Sequence, residues 1–236
     1  MQKGFKKGIT DGLPIFFGYL SVAFAFGIFA MESGLNLWET VLISMTNVTS
    51  AGQLAAVPII ISGGTLAELA VSQLVINLRY ALMSVSLSQK LDKKFSVFDK
   101  LLVAFVNTDE VFGVASSQKG KVGRAYMFGL IITPYLGWSL GTLIGAAAGN
   151  ILPAIALSAL GIAIYGMFVA IVVPVVKESG STAICVLIAV ILSCVFRFTP
   201  GLSQIPSGFV IIFCAVIAAV LMAVLAPIKE GSVNDR

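Results

Sequence analysis

Two patches of this 236-residue sequence carry side chains able to do chemistry at the depth of a membrane. The first is Asn47-Val48-Thr49-Ser50-Ala51-Gly52-Gln53, a run of small and polar residues interrupting an apolar stretch from Leu37 to Ile61. The second couples Arg79, inside the apolar pattern of Leu66 to Leu87, with Asn107-Thr108-Asp109-Glu110, inside Leu101 to Ser117. Amides and hydroxyls at Asn47, Thr49, Ser50, Gln53 and Asn77 can bind a polar solute, and Gly52 lets a ligand approach the main chain. Backbone broken in the middle of a bilayer persists only where protein buries it or where it lines a wet cavity. A solute site and a polar helix contact are the two readings of the first patch, because small and hydroxylated residues also pack membrane helices together.

An arginine within a membrane segment costs at least ~2.5 kcal/mol, so Arg79 is a functional candidate unless it reaches the interface from its helix end. The adjacent carboxylates Asp109 and Glu110 project ~100° apart on a helix. One can pair with Arg79 while the other meets solute or protons; alternatively, both complement a helix N-terminus. This trio is the expected charge pair and coupling group.

Composition defines the setting for these groups. With 58% hydrophobic and 11% charged residues, the chain has too little charge to cover a soluble globule. The reading is all-α: a polytopic integral membrane bundle in the lipid bilayer, multi-pass in the plasma membrane. The net charge of +4 comes from Lys and Arg in tails and connectors, which reports topology and implies no nucleic-acid partner. Histidine is absent, and Cys185, Cys194 and Cys214 lie in apolar runs without ligand spacing. They read as small core residues, and no metal or cofactor is expected. Without a nucleophile beside a base, the chain does not read as an enzyme. The basic start through Lys7 reads as the flank of a retained first span rather than a signal peptide.

The expected membrane segments are Leu13 to Met31, the broken Leu37 to Ile61, Leu66 to Leu87, Leu101 to Ser117, Ala125 to Ala148, Leu152 to Val176, Ala183 to Phe196 and Gly208 to Leu225. A 17-residue helix is ~25 Å long, so Leu101 to Ser117 is either a short span or re-entrant. The count is therefore seven or eight segments. Basic connectors at Gln89 to Lys100 and Lys119 to Arg124 are both expected in the cytoplasm. Gly137, Gly141, Gly145 and Gly149 form a stripe suited to close helix packing, as do Ala23, Gly27 and Ala30. At an offset of 118 residues Ser21 and Gly27 map onto Ser139 and Gly145, and Leu78-Arg79-Tyr80 onto Phe196-Arg197-Phe198. That pattern suggests a three-plus-three repeat with units near 10–88 and 125–199, inverted if Leu101 to Ser117 does not cross and parallel if it does. The whole, residues 1–236 with a charged tail at 227–236, reads as one transmembrane transporter domain.

Gly12-Leu13-Pro14, Ala51-Gly52-Gln53, Asn77-Leu78-Arg79 and Thr108-Asp109-Glu110, in this order and spacing, resemble the AzlC-type large subunit of branched-chain amino acid exporters. The family pattern has His where Tyr80 stands, and Phe-Ala-Gly-Ala-Ser-Gln where this chain has Val48 to Gln53. The resemblance implies export of hydrophobic amino acids together with a small hydrophobic AzlD-type subunit. In that picture the substrate carboxylate meets N–H groups near Thr49 to Gln53, and its ammonium sits near Asp109 or Glu110. A membrane assembly subunit, or a transporter of another small solute, is the alternative.

Overall fold

The computed structural model describes residues 2–149, 169, 172–174, 176–177 and 179–226; the span expected over Leu152 to Val176 falls almost wholly outside these, and the tail 227–236 wholly so. Among the described residues the chain is helical and has no strand beyond one isolated bridge. The helices are α1 (Gln2–Glu32), α2 (Leu37–Thr46), α3 (Ser50–Ile61), α4 (Leu66–Lys90), α5 (Val97–Phe105), α6 (Asp109–Ser117), α7 (Arg124–Ala148), α8 (Gly180–Phe198) and α9 (Ser207–Leu225). Five of them, α1, α4, α7, α8 and α9, are long and apolar enough to cross a membrane.

Glycine sets the central packing. A Cβ added to Gly137 or Gly141 of α7 would lie 2.5 Å from the carbonyl oxygens of Phe16 and Leu20, and one on Gly27 of α1 would lie 2.5 Å from that of Thr142. Absence of side chains at these points lets the two backbones touch, so α1 and α7 form the tightest pair in the fold. The contacts advance together along both chains, Phe5 against Gly129 through Phe24 against Gly145, so the two helices run parallel.

That direction fixes the remaining elements. The α2–α3 segment begins where α1 ends, and an unbroken helix from Gly34 to Ile61 would separate these residues by ~40 Å. Instead a Cβ on Gly34 would lie 3.8 Å from Ile61 Cδ1. The expectation of one broken span is thus corrected: the segment folds back as a hairpin. Its N-caps explain why both arms are helical, with Asn36 and Glu39 forming a capping box on α2 and Thr49 accepting from the Gly52 N–H on α3.

Leu101 to Ser117 is re-entrant as well, from the opposite side. At its entrance Asp99 of α5 bonds Arg124 of α7 at 2.8 Å, and at its exit Ser116 accepts from Lys90 of α4. Gln118 accepts from Lys7 near the start of α1, so entry, exit and the starts of α1 and α7 share one end of the bundle. The two basic connectors are joined there through Asp92 N–H to Val122 O, 3.0 Å, and Val122 N–H to Lys90 O, 2.9 Å. The Ser96 N–H, and then Arg124, hold the Asp99 carboxyl below the usual carboxylate range.

With both hairpins folding back, α7 points the same way as α1. Leu101 to Ser117 does not cross, yet the units offset by 118 residues are not inverted as expected, because the first hairpin turns back too and leaves only α1 and α4 long enough to cross ahead of α7. The second of those units runs through residues 150–168, outside the described ones. Of the cysteines only Cys214 is buried; Cys185 is partly exposed and Cys194 exposed, because α8 buries none of its residues among those described.

Candidate functional site

The two hairpin tips reach the middle of the bundle from opposite ends. Tyr135 and Thr142 of α7 hold the first: Tyr135 donates to Met45 O at 3.1 Å, and the hydroxyls of Thr142 and Ser44 lie 2.6 Å apart. Tyr19 of α1 holds the second: its hydroxyl donates to Glu110 Oε2 at 2.5 Å and lies 2.5 Å from the Thr108 hydroxyl, which can donate to it. Tyr19 packs edge-on against Trp138, ring centroids 5.1 Å apart, which ties the second tip to the α1–α7 pair.

Each tip presents a helix N-terminus. At the first, Thr49 caps α3 and Gln53 N–H bonds Thr49 O, while the Ser50 and Ala51 N–H groups have no backbone partner among the described residues. No acidic residue stands in the first turn of α3, so the positive end of its dipole is uncompensated. At the second, Thr108 caps α6, and Asp109 and Glu110 fill the first turn.

Gln73 of α4 braces the first tip. Its Oε1 accepts from Asn47 Nδ2 at 2.9 Å and from Asn77 Nδ2 at 3.2 Å, and its Nε2 donates to Gly52 O at 2.9 Å. A Cβ on Gly52 would sit 2.7 Å from Gln73 Oε1, so the space that glycine leaves is filled by Gln73. The expected ligand approach at Gly52 is therefore corrected to a protein contact. Asn47 and Asn77, with Gln73 and Thr46, line a cavity of about 350 Å³ whose apolar walls are Ile43, Ala56, Ile60 and Leu69. Thr49, Ser50, Gly52 and Gln53 do not line it. Gln53 is 1% exposed, and among the described residues neither its Nε2 nor its Oε1 has a hydrogen-bond partner. Asn77 Oδ1 and Asn107 Oδ1 are orphaned in the same way. So many orphaned amide atoms around broken backbone call for water or solute.

Arg79 and Asp109 meet at 2.8 Å, and the same guanidinium donates to Tyr80 OH at 2.8 Å. Their side chains are 58% and 47% exposed on the chain's own surface, so the chain by itself does not enclose the pair. Glu110 takes no part in the pair; Tyr19 holds it instead. Sequence reasoning missed Tyr19 because an isolated Tyr in an apolar helix looks like core, and only its hydroxyl, which must find a partner when buried, could have signalled the role. It also left Gln73 out of the site, although Gln73 stands four residues, about one helical turn, before Asn77.

Fold and site together define an integral membrane protein built on a parallel α1–α7 pair, with two opposed re-entrant hairpins around a polar centre. The AzlC protein family profile matches residues 14–152. The chain belongs to the AzlC family. It is 31% identical over 150 residues to inner membrane protein YgaZ of Escherichia coli K12, covering 62% of this chain and 61% of that protein. It is 32% identical over 175 residues to an uncharacterized membrane protein of Archaeoglobus fulgidus, covering 73% and 76%. A membrane protein of Helicobacter pylori J99 aligns at 23% identity over 151 residues, 63% of this chain and 65% of that one. The match thus spans about six-tenths of the length of the E. coli relative. No solved structure matches.

Proposed function

We propose that the protein is a secondary transporter subunit that exports hydrophobic, branched-chain amino acids across the plasma membrane with an AzlD-type small subunit. The observation that carries this reading is the first hairpin tip, where a dipole-positive helix end, its first N–H groups without a backbone partner among the described residues, follows two residues after Asn47, which lines a cavity of amides and aliphatic walls. An amino-acid carboxylate suits the Ser50 and Ala51 N–H groups, as anions suit helix N-termini generally. Its ammonium can donate to Asn77 Oδ1, a buried atom of a cavity-lining residue with no hydrogen-bond partner among the described residues. Its aliphatic side chain fits among Ile43, Ala56, Ile60 and Leu69. Thr49 caps the tip, and the Gln53 amide offers a donor and an acceptor to water or solute there. The second tip supplies coupling: Glu110 with Tyr19 can exchange a proton or meet an ion, and Asp109 with Arg79 sets the local charge.

A half-exposed ion pair between apolar helices is costly against lipid, which favours a partner that covers it. Leu78, Leu82, Phe98 and Leu101 are exposed on α4 and α5 and would extend such a surface. This arrangement supports the small-subunit assignment. Counterflow of radiolabelled leucine in liposomes, with and without the small subunit, tests the proposal. Accumulation that Gln73→Ala weakens is expected. No flux of leucine, isoleucine or valine in any combination overturns it and favours the assembly-subunit reading.

A further inference from the structure

At the end of the bundle where α4 begins, a second cavity of about 770 Å³ opens between the outer end of the first hairpin, α4, α8 and α9. It shares no lining residue with the cavity at the hairpin tip. Two opposite charges face it: Glu68, 2% exposed, and Arg197 in the last turn of α8. Glu68 Oε1 accepts from the Gly208 N–H at 2.9 Å, capping α9 from a different helix, because the α9 N-cap position is Pro206 with no side-chain cap of its own. This contact accounts for one carboxylate oxygen. Among the described residues Oε2 has no hydrogen-bond donor, and no cation lies within 4.0 Å of Glu68. Arg197 likewise has no carboxylate partner among the described residues. Hydroxyls of Ser62, Thr65, Ser193 and Ser203 line the space between them.

Glu68 also stands in the first turn of α4, so two helix N-termini favour its charge in part, but capping α9 needs only a hydrogen-bond acceptor, which a neutral amide would supply, and does not explain a full charge. Nor does it explain why an opposite charge stands across the same cavity without closing the pair. A buried carboxylate without a cation is costly, and the missing counter-charge is most simply brought by a ligand. We propose that this cavity is a second binding site, for a small zwitterionic group whose ammonium meets Glu68 and whose anionic oxygens meet Arg197. A guanidinium takes carboxylate or phosphate oxygens in its planar fork, so a free amino acid and a phosphatidylethanolamine headgroup present the same chemistry. The site stands apart from the transport reading, since none of its groups belongs to the hairpin tips.

The test is thermal unfolding of the full chain in nanodiscs, in the Gln73→Ala background that weakens the tip cavity. One arm adds L-leucine to phosphatidylcholine nanodiscs; the other replaces a fraction of the phosphatidylcholine, whose quaternary ammonium cannot donate, with phosphatidylethanolamine. A rise in Tm with leucine identifies a free zwitterion, and a rise with phosphatidylethanolamine alone identifies a headgroup. In either case Glu68→Gln, which keeps the acceptor for Gly208, and Arg197→Gln, on an exposed side chain, should each abolish the rise. A rise that survives either substitution, or no rise with either probe, overturns the proposal. Loss of leucine transport in Gln73→Ala alone bears only on the tip cavity.

Discussion

The two hairpins share one construction and differ in charge. Each has a threonine N-cap, Thr49 or Thr108, and each sends an asparagine side chain across to α4, Asn47 to Gln73 and Asn107 to Ser84 at 3.0 Å. In the first the helix end is left electropositive and its neighbours are neutral amides whose hydrogen-bonding capacity is unmet among the described residues. In the second Asp109 and Glu110 occupy the first turn and are held by Arg79 and Tyr19. An uncompensated helix end is a place to receive an anion, whereas a compensated one has its charge already in place. The comparison teaches that two threonine-capped breaks can serve recognition or charge control, depending on whether the protein supplies the counter-charge itself.

Both hairpins lean on the α1–α7 pair, so the largest effect is expected there. Gly141→Leu must force apart backbones that leave no room for a Cβ, and loss of folded protein by size-exclusion profile is the expected outcome. A monodisperse, transport-active variant would show that the hairpins do not depend on this contact. Next, the charged tip should fail functionally before it fails structurally. Arg79→Gln and Asp109→Asn should each abolish leucine flux, yet their coupling in a double-mutant cycle of stability in detergent should be only about 0 to 1 kcal/mol, because the pair is half exposed. Coupling of several kcal/mol would mean that the pair is desolvated in the folded assembly.

Tyr19→Phe removes one hydroxyl from Glu110 and Thr108 without changing shape, so ~1.5 to 3 kcal/mol of stability and a shifted pH profile of flux are expected. An unchanged profile would separate Glu110 from coupling. At the neutral tip, Gln73→Ala should weaken substrate binding by roughly five- to 150-fold, the loss of ~1 to 3 kcal/mol for unpaired buried groups, with little change in pH dependence. The same affinity in both proteins would erase the distinction between the tips. The smallest effect is expected from Thr49→Val, a lost cap worth ~1 kcal/mol, read as a lower Tm with flux largely kept.

The sequence by itself determined the solvent and the local breaks. Apolar runs long enough to cross a bilayer, basic connectors and glycine at four-residue spacing are properties of neighbouring residues, so they are readable without a fold. The interruptions at Asn47 to Gln53 and Asn107 to Glu110 are likewise local, since Thr49 and Thr108 cap the helices that follow them. Tertiary structure alone decided whether each interrupted segment crosses or returns. The choice depends on where Gly34 and Ile61, or Asp99 and Arg124, find partners, and neither hydropathy nor helix propensity encodes such distant contacts. The same holds for the chemistry: that Asp109 pairs with Arg79 while Glu110 turns to Tyr19 depends on which helices α4 and α1 place beside the tip. A side chain's partner in a membrane protein is set by the helix across from it, and that helix can lie 91 residues away, as Tyr19 does from Glu110.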